Sequence, residues 1–290
     1  MATLNELKIR IGGIKGTQKI TRAMKMVSSA KLRRAQDMII SARPYARKVN
    51  EMLTQLADAV GSEGIDDLLE QREVKRTCVV IVSADKGLAG SFNANIIRNG
   101  FNHVEELGSK TKVITVGKKA TDALKKKDYN VIRTYPGIFN HLTLEQSNEI
   151  VNFLVDGFRR KEFDAVDIVY NEFKSIAKQV VVKEQFLPLK STHAEKKDKA
   201  TTAGDYIFEP DKVEILRYLI PKHLRVQFWK VLLESNAAEQ AARMTAMETA
   251  TKNASDLLQL LELSYNQARQ AAITKEILEI VGGAEALKDV

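Results

Sequence analysis

Apolar residues recur in alternating steps of three and four over the first sixty residues, from Leu4 to Val60. One quarter of this series is polar instead, and consists of Gln18, Thr21, Lys25 and Ser28. A repeat averaging 3.5 residues is the seam of a coiled coil. The pattern predicts one helix of about 57 residues, or roughly 85 Å.

The end of the chain carries the same repeat, from Leu233 to Ala272. No glycine or proline lies between Pro221 and Gly282, so we expect one helix over that range, opened by the proline and closed by the glycine. A lone helix with a long apolar stripe aggregates, and each stripe is the natural partner of the other. The two ends are therefore predicted to pair as an antiparallel coiled coil, longer than the roughly 35 Å diameter of a domain built from the middle of the chain.

The middle of the chain alternates between strand-like and helix-like segments. Short β-branched runs predict strands at 77–83, 112–116, 130–135, 165–173 and 179–187. Helical patterns lie at 93–107, 118–126 and 144–160. This alternation predicts a small three-layer, Rossmann-like α/β domain with a largely parallel sheet, inserted between the paired helices.

These patterns divide the chain into five predicted parts. They are an N-terminal coiled-coil helix at 1–60, a linker at 61–74, the α/β domain at 75–190, a polar loop and foot at 191–209, and the C-terminal coiled-coil helices at 210–290.

Charge is concentrated at the start of the chain. Residues 1–50 hold twelve Lys/Arg against two acids, whereas the net charge of the whole chain is +8. Such a segment suits nucleic acid, an anionic membrane surface or an acidic protein. It has no aromatic residue before Tyr45 to stack on bases, which weighs against nucleic acid. A basic coiled-coil adaptor for nucleic acid or a membrane surface stays an alternative, as does a small α/β enzyme with a helical arm.

Residues typical of catalysis or cofactor binding do not cluster. The glycines fit neither G-x-x-x-x-G-K nor G-x-G-x-x-G, so no nucleotide motif is present. The four histidines are scattered, and Cys78 is the single cysteine, within an apolar run. No cofactor, metal site or disulfide is predicted.

Both helices change their apolar face near one end of the predicted arm. Ile20, Met24 and Val27 lie about 110° round the helix from the polar seam. Near the C-terminus the apolar residues move by a similar angle, to Ile273, Ile277, Ile280 and Val281. A bend or a swap of sides would explain one displacement. Two displacements favour an apolar tip held by an external socket.

Blocks of sequence along the chain resemble the gamma subunits of F-type ATP synthases. They are TQKITRAMKMVSSAKLRRAQ at 17–36, SADKGLAGSFN at 83–93, DYIFEPD at 205–211, EQAARMTAMETATKNA at 239–254 and YNQARQAAITKEILEIVGGAEAL at 265–287. Ala89 stands where many members have cysteine, and Phe208 where some have tyrosine. The likeness covers essentially the whole chain and keeps the order of the blocks.

The resemblance implies a central rotor inside a ring of three alpha and three beta subunits, coupling proton flow to ATP synthesis or hydrolysis. Its foot would contact the epsilon subunit and the c-subunit ring, with the delta subunit reached only indirectly. No nucleic acid is implied, and the membrane is reached only through the c ring, on the cytoplasmic face of a bacterial cell membrane. The nucleotide sites would lie on other subunits, so this chain would not be an enzyme by itself.

The resemblance also implies contact residues. Those facing alpha and beta subunits would be Met24, Lys25, Arg243, Glu248, Arg269, Gln270, Thr274 and Glu279. Those at the foot would be Tyr206, Phe208 and Glu209.

Overall fold

A computed structural model describes residues 3–60, 66–125, 127, 129–189, 209 and 211–286. The first element, α1, is one helix at Leu4–Val60 that runs through Pro44. The last, α5, is one helix at Lys212–Ala286. Both long helices predicted from the heptads are therefore present.

The limits predicted for the last helix are wrong. Helix α5 begins before Pro221 and continues through Gly282 and Gly283. Its first turns bury Leu216 and Ile220 completely, so core packing sets the start of the helix and the proline lies inside it. Packing of this kind commonly overrides local propensity.

Between the long helices lies a five-stranded sheet. The strands are β1 at Thr77–Val82, β2 at Lys112–Val116, β3 at Val131–Tyr135, β4 at Ala165–Phe173 and β5 at Gln179–Leu187. The order is β3-β2-β1-β4-β5, with β5 alone antiparallel to its neighbour. The helices between them are α2 at Phe92–Leu107, α3 at Lys118–Leu124 and α4 at Leu144–Arg159. This mixed α/β sheet between two long helices confirms the predicted fold class.

Successive residues of β1 serve two different cores, because side chains alternate across a strand. Val79 and Ile81 pack with residues of α2 and α3 on one face. Cys78, Val80 and Val82 pack with residues of α4, α5 and the end of α1 on the other. Helices on both faces give the three predicted layers.

Contacts divide the chain into two compact units, Met1–Ser28 with Met244–Val290, and Ser29–Arg243. In the first unit the two chain ends pair. Lys15 lies 2.8 Å from Glu262, and Lys25 lies 2.7 Å from Glu248. Because residue numbers rise on one helix as they fall on the other, the pairing is antiparallel, as predicted.

Candidate functional site

The polar quarter of the seam is an interhelical contact. Thr21 and Ser28 are 9% and 2% exposed, so both side chains face the partner helix. The hydroxyl oxygens of Thr21 and Thr251 lie 2.8 Å apart. Each hydroxyl also lies within hydrogen-bond distance of a carbonyl of its own helix, Gln18 at 3.1 Å for Thr21 and Met247 at 2.7 Å for Thr251. Hydrogen bonding satisfies hydroxyl groups that would otherwise be costly to bury.

Beside this seam lie three of the predicted contact residues. Lys25 and Glu248 form an ion pair whose side chains are 39% and 59% exposed. Met24 is half-buried on the same helix as Lys25. An exposed pair of this kind contributes only about 0–1 kcal/mol to stability, so both charges are free to act on a partner at little cost to the fold.

Apolar side chains face solvent on both helices of this unit. On α1, Ile20 and Val27 are 62% and 56% exposed. On the last turns of α5, the exposed residues are Ile273, Ile277, Leu278, Ile280 and Val281. Counting along both helices, the Lys25–Glu248 pair places Leu4, where α1 begins, opposite about residue 269, and the Lys15–Glu262 pair places it opposite about residue 273, so the end of α5 extends past its partner. The predicted change of face therefore leaves apolar residues uncovered by this chain.

The predicted contacts on this last segment are accessible. The side chains of Arg269, Gln270, Thr274 and Glu279 are all exposed. Glu279 lies 3.6 Å from Lys275, one turn before it on the helix. At the foot, Glu209 is exposed, whereas Tyr206 and Phe208 lie outside the described residues.

Among the predicted contacts that the structure describes, Arg243 is the buried one. Its side chain is 9% exposed and pairs with the 6% exposed carboxylate of Glu239, one turn earlier on α5. The same guanidinium donates to the backbone carbonyls of Lys86 and Gly87 at 3.3 and 3.1 Å. Burial raises the pKa of Glu239, and Arg243 opposes that shift. Arg243 thus fastens α5 to the loop after β1.

That loop is held by a second carboxylate, which the sequence analysis did not single out. Asp85 accepts hydrogen bonds from the backbone N–H groups of Lys118, Gly137 and Phe139, at 2.9, 2.6 and 2.9 Å. These donors follow β2 and β3, so one side chain connects the carboxyl ends of three strands. The only sequence signal was an acid in the loop that follows a buried strand.

The carboxyl edge of the sheet is where doubly wound folds bind ligands, at the strand where the connections change direction. Here β1 is that strand, flanked by β2 and β4. Helix α5 covers the position, since Ala238 packs against Ala84, Ala89 and Phe92.

Two further properties of the described residues bear on function. Among the described residues, no group of three or more His, Cys, Asp or Glu is placed to hold a metal ion. None of the described helices combines the length and apolar character that crossing a bilayer requires.

Comparison with known proteins identifies the class. The family model described as ATP synthase matches residues 3–287. The chain therefore belongs to the ATP synthase family.

Within that family it groups with the gamma chains, the rotor subunits. It is 47% identical to the ATP synthase gamma chain of Cytophaga hutchinsonii over 296 residues, covering 100% of both. It is 48% identical to that of Chlorobium phaeobacteroides, covering 99% of this chain and 100% of the relative. This membership favours a subunit of a rotary complex over a free-standing adaptor for nucleic acid or a membrane surface.

Solved structures support the fold. A chain of the Euglena gracilis mitochondrial ATP synthase OSCP/F1/c-ring structure, in rotational state 3, matches with a TM-score of 0.67 and 23% identity, covering 98% of this chain and 94% of that one. A chain of the Tetrahymena thermophila mitochondrial ATP synthase central stalk and c-ring matches with a TM-score of 0.61 and 24% identity, covering 80% and 99%.

Proposed function

We propose that this chain is a rotor without a catalytic site of its own, in an F-type, proton-translocating ATP synthase of a bacterial cell membrane. It turns inside three alpha and three beta subunits, and its foot joins the epsilon subunit and the c ring. Proton flow turns the foot, and the paired helices carry the torque to the beta subunits, where ATP is made or hydrolysed. Unequal contacts with open and closed beta conformations are what allow a rotor to drive their exchange.

The observation that carries this proposal is the antiparallel pairing of the chain ends together with the apolar residues they leave uncovered. A helix pair that served only its own stability would turn such residues into the seam. Exposed apolar patches mark interaction surfaces. The covered carboxyl edge of the sheet supports the absence of a catalytic site, because α5 lies where doubly wound enzymes hold a nucleotide.

The basic start of α1 supports contact with acidic surfaces of the beta subunits. Lys25 would meet acidic beta-subunit loops together with Met24, Arg243 and Glu248. Arg269, Gln270, Thr274 and Glu279 would lie in the upper bearing. Tyr206, Phe208 and Glu209 would face epsilon and the c ring.

Reversing the charges of one ion pair tests the beta contact. In the assembled complex, Lys25→Glu and Glu248→Lys are made singly and together, and ATP-driven proton pumping is measured beside ATP hydrolysis. The exchanged pair restores the internal attraction but presents the wrong charge to an acidic loop. We expect pumping per ATP to stay low in the double variant.

The second exposed pair, Lys15 with Glu262, supplies the matched control, because its residues are not among the predicted contacts. Its exchanged variant should couple like the parent complex. If exchanging Lys25 and Glu248 fully restored coupling, the pair would matter only within this chain, and the assigned contact would be rejected.

A further inference from the structure

A cavity of about 400 Å³ lies within the Ser29–Arg243 unit, between α1, α5 and β5. Apolar side chains such as Ile39, Val226 and Leu233 form part of its wall. Small-molecule sites in proteins share this size range and this combination of apolar walls with a few polar groups. The polar groups therefore decide what the cavity suits.

The buried polar groups present hydrogen-bond acceptors. Glu234 is 7% exposed, and its Oε2 is buried without a partner. Gln227 donates through Nε2 to Glu184 at 2.8 Å, which leaves its buried Oε1 without a partner. A buried acceptor without a donor costs about 1–3 kcal/mol. Both atoms call for a donor that the described residues do not supply.

The exposed polar groups are cations. Arg43 and Arg47 are one helical turn apart on α1 and share a face, and Lys230 reaches the cavity from α5. All three side chains are solvent-exposed, and within the described part of the chain none of them forms a salt bridge. Burial raises the pKa of Glu234, whereas Lys230 and Arg43 lower it, so both cations lie within electrostatic reach of that carboxylate.

Two other carboxylates lie near Glu234, namely Glu184 in the cavity wall and Glu172, whose charge raises the pKa of Glu234 further. The Glu184 carboxylate accepts from Gln227 and, at 3.1 Å, from the hydroxyl of Tyr170. Burial lowers the pKa of His223, which keeps its ring neutral near pH 7. The cavity thus pairs a cationic mouth with a buried carboxylate that lacks a donor.

We propose that this cavity binds a small phosphate-type oxyanion that also carries an O–H group, either inorganic phosphate or a small hydroxylated phosphate ester. The anionic oxygens pair with Arg43, Arg47 and Lys230, because guanidinium and ammonium groups form strong charge-assisted hydrogen bonds with phosphate. The O–H group donates to Glu234 Oε2. A polyamine would meet three cations, and an oxyanion without a proton would set its charge against the carboxylate.

Comparing phosphate with sulfate separates the two proposed interactions, which are the pairing of anionic oxygens with the three cations and the hydrogen bond from the O–H group to Glu234. At pH 7.5 both ions are divalent tetrahedra, but only hydrogen phosphate keeps an O–H donor. We expect the purified full-length chain, titrated calorimetrically at fixed ionic strength, to bind phosphate about tenfold more tightly than sulfate, since one donor to a buried carboxylate accounts for that ratio. Glycerol 3-phosphate is the third ligand titrated. Whichever of it and inorganic phosphate binds more tightly shows whether the cavity suits a phosphate ester or the free ion.

Glu234→Gln is the discriminating variant. Its side-chain amide can donate to sulfate, so the preference for phosphate over sulfate should fall to near unity or reverse. Arg47→Gln should weaken the binding of all three ligands. Arg225→Gln is the matched control for the loss of a charge. Arg225 is an exposed cation on α5, it pairs with Asn152 at 3.2 Å, and it does not line the cavity.

Three results would overturn the proposal. The first is no binding of inorganic phosphate or glycerol 3-phosphate up to about 10 mM, because a Kd above that value corresponds to very weak binding. The second is equal affinity for phosphate and sulfate in the parent chain. The third is a ratio of phosphate to sulfate affinity that is unchanged in Glu234→Gln. Circular dichroism of each variant confirms that the helices remain folded. These outcomes do not depend on the rotor function, which the charge exchange at Lys25 tests separately.

Discussion

Replacing Arg243 by methionine should strongly destabilise the Ser29–Arg243 unit. The change leaves the Glu239 carboxylate, 6% exposed, without its counter-charge. It also removes the donor to the carbonyls of Lys86 and Gly87. Breaking a buried ion pair from one side costs about 3–5 kcal/mol. Urea unfolding of the purified chain, followed by circular dichroism, measures the loss.

The loss should depend on pH with a defined sign. Burial raises the pKa of Glu239, and without Arg243 nothing of comparable strength opposes the shift. A carboxyl group with a raised folded-state pKa destabilises the fold at pH above that pKa, and the penalty vanishes below the unfolded value of about 4.5. The Arg243→Met deficit should therefore be larger at pH 7.5 than at pH 5.

A double variant separates the charge from the other contacts. Glu239→Gln with Arg243→Met removes both charges and keeps most of the packing, so it should recover roughly half of the lost stability. The argument would be refuted by a deficit below about 1 kcal/mol in Arg243→Met, since such a value is typical of an exposed pair. A double variant less stable than the single one would also refute it.

Two further predictions concern the α/β domain. Gly117 has φ +96°, and an added Cβ would lie 2.0 Å from the Ser83 carbonyl oxygen; Gly117→Ala should lose about 3 kcal/mol or more in urea unfolding. Gly108→Ala, with φ +88°, ψ 179° and open space around it, should lose less, about 1–3 kcal/mol from backbone strain alone, and equal losses would contradict the steric account. Burial raises the pKa of the Cys78 thiol and leaves it 0% exposed. Iodoacetamide should label the Cys78 thiol only under unfolding conditions, as measured by mass spectrometry. Rapid labelling of the folded chain would contradict the described packing.

The sequence predicted those parts of the fold that depend on local periodicity. The heptads located α1 and most of α5, and the alternation of strand and helix located the central sheet. The start of α5 was missed because Leu216 and Ile220 pack into a core assembled from distant segments, and no local signal outweighed Pro221. Position within an amphipathic helix can be read from a sequence, but the strength of long-range packing cannot.

The candidate site was predictable to a smaller extent. The exposed apolar residues follow from the change of face, and the structure shows Ile20 and Val27 exposed. The attachment of Arg243 to the loop after β1 was not predictable, because it joins residues more than 150 positions apart through backbone carbonyls that have no sequence signature. The contacts assigned to alpha and beta subunits stay predictions. At Arg243, such a contact would have to form with a side chain that already pairs with Glu239 and donates to two backbone carbonyls.

The polar quarter of the seam has a mechanical interpretation. An all-apolar heptad seam is stable in several registers, because a slip by one heptad replaces one apolar contact with another. The hydrogen bond between Thr21 and Thr251 is lost on such a slip, and Ser28, 2% exposed, would face a different residue. Polar seam residues specify register at some expense in stability. A fixed register is worth some loss of stability in a shaft that carries torque, because a slip between its helices would dissipate the rotation that the shaft transmits.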